Sequence, residues 1–158
     1  MNNYLEPPAS IVELVKDNKS ADAYWKKWLG LLYSFLLVED NHLVGETGEP
    51  AFENSWANYA TVDSPARFYK DPFDRVFLAG QIDSGASGTD AFTLPDNGWR
   101  PEYEVSIAVV ATTTGVGGVT GGHAYVIIGT DGTVNCNYTG ATLTSIVLDG
   151  ISFRATPV

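Results

Sequence analysis

The chain reads as a mainly β protein: an antiparallel β-sandwich or barrel domain preceded by an extended arm and one amphipathic α-helix. Three observations predict this. From Arg75 onward apolar and polar residues alternate with period two, the repeat of strands buried on one face. Such runs return about every ten residues with glycine-bearing turns between them, the spacing of sandwiches and barrels. Only residues 20–38, SADAYWKKWLGLLYSFLLV, carry a helical repeat.

Taken in order, residues 1–19 read as an extended arm. Pro7 and Pro8 disfavour helix there, and Ile11, Val12, Leu14 and Val15 form a short apolar patch suited to packing on a neighbour. Ser20 is the expected helix N-cap, with Asp22 complementing the dipole in the first turn. Trp25, Trp28, Leu29, Leu32, Phe35 and Leu36 then fall on one helix face. Tyr24, Leu31, Tyr33 and Leu37 widen that face, so the helix calls for burial on more than one side. Copies of itself, a larger partner, or the protein's own sheet would each supply it. Glu39-Asp40-Asn41 ends the helix, and GETGEP at 45–50 is a turn-rich connector. The expected division is therefore 1–44, arm and helix, and 45–158, the β domain.

Residues 51–74 suggest one or two short strands among loops. Seven strands follow at 75–82, 91–94, 103–111, 123–128, 133–138, 142–148 and 151–155. Asp131-Gly132 joins two β-branched runs as a hairpin turn, and Asp149-Gly150 is read as a second turn of that kind. The segment 112–123, TTTGVGGVTGGH, reads as a glycine-rich hairpin tip.

Composition excludes several classes. Nine basic against nineteen acidic residues, a net charge of −10, argues against nucleic acid and against anionic membrane surfaces. The N-terminus MNNYLEPPAS has no signal-peptide pattern, and Trp28–Val38 is too short and too interrupted to insert in a membrane. The single Cys136 leaves no disulfide framework or thiolate zinc site and reads as a buried structural thiol. Between Glu102 and Val158 lie only five charged residues, so the exposed face there is built from Thr, Ser, Asn and Gly.

Catalytic patterns are sparse. Asp83-Ser84-Gly85 matches the D-[ST]-G triplet of aspartic proteases but runs into a flexible-looking Gly-Ala-Ser-Gly loop. His42 and His123 are the only histidines, and no G-x-S-x-G elbow accompanies them. Nothing spaces His, Cys, Asp71, Asp74 or Asp96 as a metal site. The glycines at 115–121 lack the spacing and following helix of a phosphate cradle. No catalytic residue, metal or cofactor is expected. Trp56, Tyr59, Trp99 and Tyr103 sit in or beside loops, where aromatic rings stack on sugars, fill a core or seal a protomer seam; core or seam is favoured, and for Trp99, turn packing.

Four strand-and-turn motifs carry a resemblance: VFLAG at Val76–Gly80, FTLPDNGWRP at Phe92–Pro101, DGTV at Asp131–Val134 and LDGISF at Leu148–Phe153. Together they resemble the C-terminal β-sandwich, or knob, domain of tailed-bacteriophage fibre and minor tail structural proteins, over residues 55–158. Tyr24-Trp25-Lys26-Lys27-Trp28-Leu29 is similar to the helical start of such proteins, a looser match over 7–37. The long glycine-rich segment at 112–123 departs from the pattern. The motifs specify a fold rather than a chemistry.

The resemblance implies a virion structural protein made in the host cytoplasm: a homotrimeric short fibre or knob, joined to other virion proteins, tail or capsid, through residues 1–44. Its β domain would contact host-surface glycan, with Gly115, Gly117, Gly118, Gly121 and His123 as a candidate exposed ligand loop. Trp25, Trp28, Leu29, Leu32, Phe35 and Leu36 are the expected oligomerisation or attachment face. Each large apolar side chain fully buried there would contribute about 1.5–3 kcal/mol, and six per chain would offset an association cost of about 4–15 kcal/mol. A dimer or pentamer would use such a face too. A capsid cement, decoration or head-fibre protein is the alternative, and a polysaccharide hydrolase a remote one, since no paired carboxylates stand out.

Overall fold

The structure, a computed structural model, describes residues 18–36, 40–60, 64–96, 98–115, 118–139 and 142–156. The arm at 1–17 lies outside the described residues. The chain forms two compact units, Met1–Leu37 and Val38–Val158.

In the first unit α1 spans Asn18–Leu36. Ser20 therefore lies inside the helix and is not its N-cap, and no acidic residue occupies the first turn. Both cap-competent residues of Asn18-Lys19-Ser20 lie within the helix. Trp25 and Trp28 meet edge to face, ring centres 5.5 Å apart. Trp25 and Leu29 are exposed, as are Tyr24, Leu31 and Tyr33, while Trp28 and Leu32 are half-buried.

The second unit is antiparallel throughout. Its strands are β1 (His42–Leu43), β2 (Ala57–Asn58), β3 (Arg67–Lys70), β4 (Arg75–Ala79), β5 (Gln81–Asp83), β6 (Thr89–Thr93), β7 (Val105–Gly115), β8 (Gly118–Ile128), β9 (Thr133–Tyr138), β10 (Thr142–Val147) and β11 (Ile151–Arg154). They form a four-stranded sheet, β1-β3-β4-β11, and a seven-stranded sheet, β2-β5-β10-β7-β8-β9-β6. Period two does what it predicts: Val134 and Cys136 in β9, and Ala124, Val126 and Ile128 in β8, are buried, while their neighbours face outward. Phe68, Val76, Leu78, Ile82, Phe92 and Ile146 join them in a single core shared by both sheets.

One corner makes that shared core possible. The run read as one strand, 75–82, breaks at Gly80 into β4 and β5, which belong to different sheets. Gly80 has φ +101°, and a Cβ there would lie 2.2 Å from the Pro65 carbonyl oxygen, so only glycine fits. Beside it, Asp149-Gly150 carries β10 into β11, and these pair with β5 and β4 respectively. The Gly80 N–H donates to Asp149 Oδ1 at 3.1 Å, and the Leu148 N–H donates to the Gly80 carbonyl at 2.9 Å. Asp149-Gly150 is thus a sheet-to-sheet corner and not the hairpin turn expected. Its local chemistry resembles that of Asp131-Gly132, which does close a hairpin, with Ile128 opposite Val134.

The seven-stranded sheet curls until its edges nearly meet. The Glu53 N–H donates to the carbonyl of Ala91, the bulged residue of edge strand β6, at 2.8 Å. A few residues on, Ala57 and Asn58 pair with β5 at the other edge. Trp56 fills the seam: it is buried, and its Nε1–H donates to Thr89 Oγ1 at 2.9 Å. Covering the edges in this way removes a template for aggregation.

Two further readings change. The segment 112–123 is largely strand: β7 runs to Gly115 and β8 starts at Gly118, with Thr112 paired to Gly121 and Val110 to His123. Glycines suggested a loop, but eleven consecutive cross-strand partners between β7 and β8 override that weak local preference. His42–Leu43, grouped from the sequence with the arm and helix, forms β1 and pairs with β3 in the second unit; a two-residue strand has no period to read.

Candidate functional site

The structure assigns most loop aromatics to packing. Trp99 is buried, its ring edge-to-face with Phe68 at 4.9 Å and with His42 at 5.0 Å. Lys70 Nζ lies 4.4 Å from the Trp99 ring centre, and His42 Nδ1 is 2.9 Å from Glu49 Oε1. The FTLPDNGWRP segment is tied down further by an Arg100–Asp96 ion pair and by Arg100 Nε–H donating to the Leu94 carbonyl. Tyr59 is half-buried, and of the four loop aromatics only Tyr103 is exposed.

The catalytic-looking triplet also has structural work. Asp83 pairs with Ala57 across β5 and β2. Gly85 packs so closely on Trp56 that a Cβ would lie 2.0 Å from the ring. Tyr138 Oη donates to the Gly85 carbonyl at 3.0 Å, and Ser87 Oγ donates to the Tyr138 carbonyl at 2.9 Å. Asp71 accepts from the Phe73 and Arg75 N–H groups at 2.9 Å each, shaping a turn. Among the described residues no three His, Cys, Asp or Glu side chains gather where they would hold a metal ion.

Of the candidate ligand loop, Gly115 and Gly118 end β7 and begin β8 opposite each other, Gly121 lies within β8, and Gly117 is outside the described residues. His123 is exposed on β8. Of the candidate attachment face, Trp25, Trp28, Leu29 and Leu32 occupy α1 as described above. Phe35 and Leu36 belong to the helix, their side chains outside the described set.

The sheet register brings together a group that strand-by-strand reading misses. Residues directly opposite in antiparallel strands share a face. On the outer face of β6-β9-β8-β7, Asp90 lies opposite Asn135, Asn135 opposite Ile127, and Ile127 opposite Ser106. The next row is Asn137, Tyr125 and Ala108, and the third pairs His123 with Val110. Val110 is 66% exposed and Tyr125 45%, large apolar surfaces open to solvent.

Beside them the polar groups are pre-oriented. Asn135 Nδ2–H donates to Asp90 Oδ1 at 2.9 Å and to the Gly88 carbonyl at 3.2 Å. Asn137 Nδ2–H donates to Asn135 Oδ1 at 2.7 Å. A carboxylate only accepts, so it turns the Asn135 NH₂ toward itself and leaves the Asn135 carbonyl for Asn137. The chain Asp90–Asn135–Asn137 is therefore directional and ends beside the Tyr125 ring. An aromatic face next to fixed amides is the arrangement that holds a sugar ring, its C–H face on the aromatic and its hydroxyls on the amides. The alternation Val134-Asn135-Cys136-Asn137 in β9 was the available signal; the pairing of β6 with β9, about 45 residues apart in the chain, was not readable.

Under this face Cys136 is fully buried. Burial, with a smaller contribution from the Asp90 charge, pushes its thiol up from 9.0 to about 12. It is an inert core side chain.

The sequence matches no known family model and no curated protein. The fold is similar to that of the receptor-binding protein of Listeria phage PSA, with a TM-score of 0.62 and 16% sequence identity, covering 86% of this chain and 76% of that one. At that identity the likeness is one of fold.

Proposed function

We propose that this chain is a bacteriophage virion protein whose β unit binds the host surface, contacting envelope glycan through the outer face of β6-β9-β8-β7. The likeness in fold to a phage receptor-binding protein carries the reading. The exposed Tyr125 beside the oriented Asp90–Asn135–Asn137 chain supplies matching chemistry. The role is recognition without catalysis. Residues 1–37, the first unit, join the protein to the virion, and the exposed aromatic surface of α1 assembles three copies. Three β units then face the envelope together, and weak single-site contacts add as avidity.

The test is binding of the fluorescently labelled full chain to envelope preparations from a panel of bacteria. Saturable binding to a subset is expected. Tyr125→Ala is expected to weaken it by about tenfold, the loss of roughly 1–1.5 kcal/mol of aromatic contact. Asn137→Ala is expected to weaken it as well. No binding across a panel that includes the phage's own host, or binding indifferent to both substitutions, would contradict the reading. Release of soluble sugar from the envelope would replace recognition with hydrolysis.

A further inference from the structure

The distribution of positive charge points to a second site. After residue 37 the chain has five basic residues, Arg67, Lys70, Arg75, Arg100 and Arg154, against fifteen acidic ones. Three of the five make contacts within the fold: Arg100 with Asp96, Lys70 over the Trp99 ring, and Arg67, whose Nη1–H donates to the Pro65 carbonyl at 3.3 Å. Arg67, Arg75 and Arg154 all fall on one surface, the outer face of the four-stranded sheet. Arg75 and Arg154 are direct cross-strand partners, and both are exposed. Arg67 sits opposite Ala79, displaced from Arg75 along β4 by about 13 Å at the rise of a strand. Between them Tyr69 and Phe77 stand opposite each other with rings stacked, 5.1 Å apart and 8° from parallel.

Like charges directly opposite on a sheet repel and destabilise it. Among the described residues no carboxylate forms an ion pair with Arg67, Arg75 or Arg154. Glu102, next to the Pro101–Ala155 bridge, is exposed without pairing to Arg154. In a unit so rich in acid, three guanidinium groups without a carboxylate partner on one face create a local positive field inside a negative one. An anion from outside relieves the repulsion, and the planar fork of each arginine suits a phosphate or carboxylate.

We propose that this face is an anion-binding site for the phosphodiester or carboxylate groups of an acidic polysaccharide. The host envelope as the source of that polymer rests on the function proposed above; the chemistry of the site does not. The span from Arg67 to Arg75 exceeds a single small anion and matches charges repeated along a polymer. The stacked rings between them offer surface for the intervening sugars. A densely charged nucleic acid would be repelled by the surrounding acidic unit, whereas sparse charges on a polysaccharide need only these three contacts.

The experiment measures binding of the full chain to three immobilised dextrans: neutral, carboxymethylated and phosphorylated. The protein is expected to bind a charged dextran, to leave the neutral one, and to bind less as salt rises. The two charged forms identify which group is preferred. The double variant Arg75→Gln/Arg154→Gln is expected to lose affinity by about tenfold or more, since charge-assisted contacts are the strong ones. Its melting temperature should be unchanged or higher. Arg67→Gln provides an independent reduction. Equal retention on neutral and charged dextran, or a double variant that binds like the wild type, overturns the proposal. So does a change of solution mass in the double variant, which would reassign the face to contact between copies. Charged-dextran binding that persists without envelope binding removes the host reading and leaves the anion site standing.

Discussion

Single residues at the seams carry much of the fold's specificity, and they are where substitution should be felt first. Gly80 sits where the paired ribbon of β4–β5 and β10–β11 turns from one sheet into the other, against the Pro65 carbonyl. Gly80→Ala adds a clash to an unfavourable φ and is expected to cost at least about 2 kcal/mol in denaturant unfolding. Gly85→Ala, pressed on the Trp56 ring, is expected to cost about 1–3 kcal/mol by overpacking the seam. Cys136 predicts a chemical outcome: native protein at pH 8 should resist alkylation, and labelling should appear on denaturation. Its linkage has a definite sign. The unfolded thiol ionises from 9.0 while the native thiol is held neutral to about 12, so ionisation favours the unfolded chain and stability falls as pH rises through that window.

Turns of similar composition act differently according to what lies around them. Asp131 accepts from Thr133 Oγ1 at 2.8 Å and from the Thr133 N–H at 3.1 Å, and these bonds hold its carboxyl below the ordinary 3.8. A lowered pKa contributes stability that is present above 3.8 and lost as pH falls through the native value. The stability difference between wild type and Asp131→Ala should therefore be measurable at neutral pH and shrink in acid, a small effect because the turn is solvent-exposed. At Asp149 the carboxylate instead serves the Gly80 N–H, across 69 positions of chain. That contrast marks what local reading can reach. The run 133–138 has the same bounds in sequence and structure because Thr-Val-Asn-Cys-Asn-Tyr alternates without a break. The break at Gly80, the extension of β7 and β8 through glycines, and the two-residue β1 depend on partners far away. The proposed ligand face shows the same limit. Asn135, Asn137 and Tyr125 are outward positions by alternation alone, but only register places them beside one another and beside Asp90. The three arginines stand in three separate strands, and only the order β3-β4-β11 gathers them.

At the scale of the molecule, the two units divide assembly from recognition in the function proposed here. Val38–Val158 has its own core, its edges nearly closed by the 53–58 segment, and the elements of an independently folding domain. The first unit offers α1 with Trp25, Leu29 and Tyr33 exposed, a surface that calls for a partner. Light scattering should give the full chain a mass three times 17.0 kDa, and substitutions such as Trp25→Ala with Leu29→Ala should shift it toward monomer. The β unit would still recognise its ligand but would lose avidity, which linked sites raise by about 10²–10⁴. The most direct measurement compares envelope binding by the full chain with that of a fragment beginning at Val38, with circular dichroism confirming the fragment's β structure. The fragment should bind the same members of the bacterial panel, more weakly and with single-site behaviour. A folded fragment that binds none of the envelopes the full chain binds would contradict the account and move recognition to the N-terminal unit.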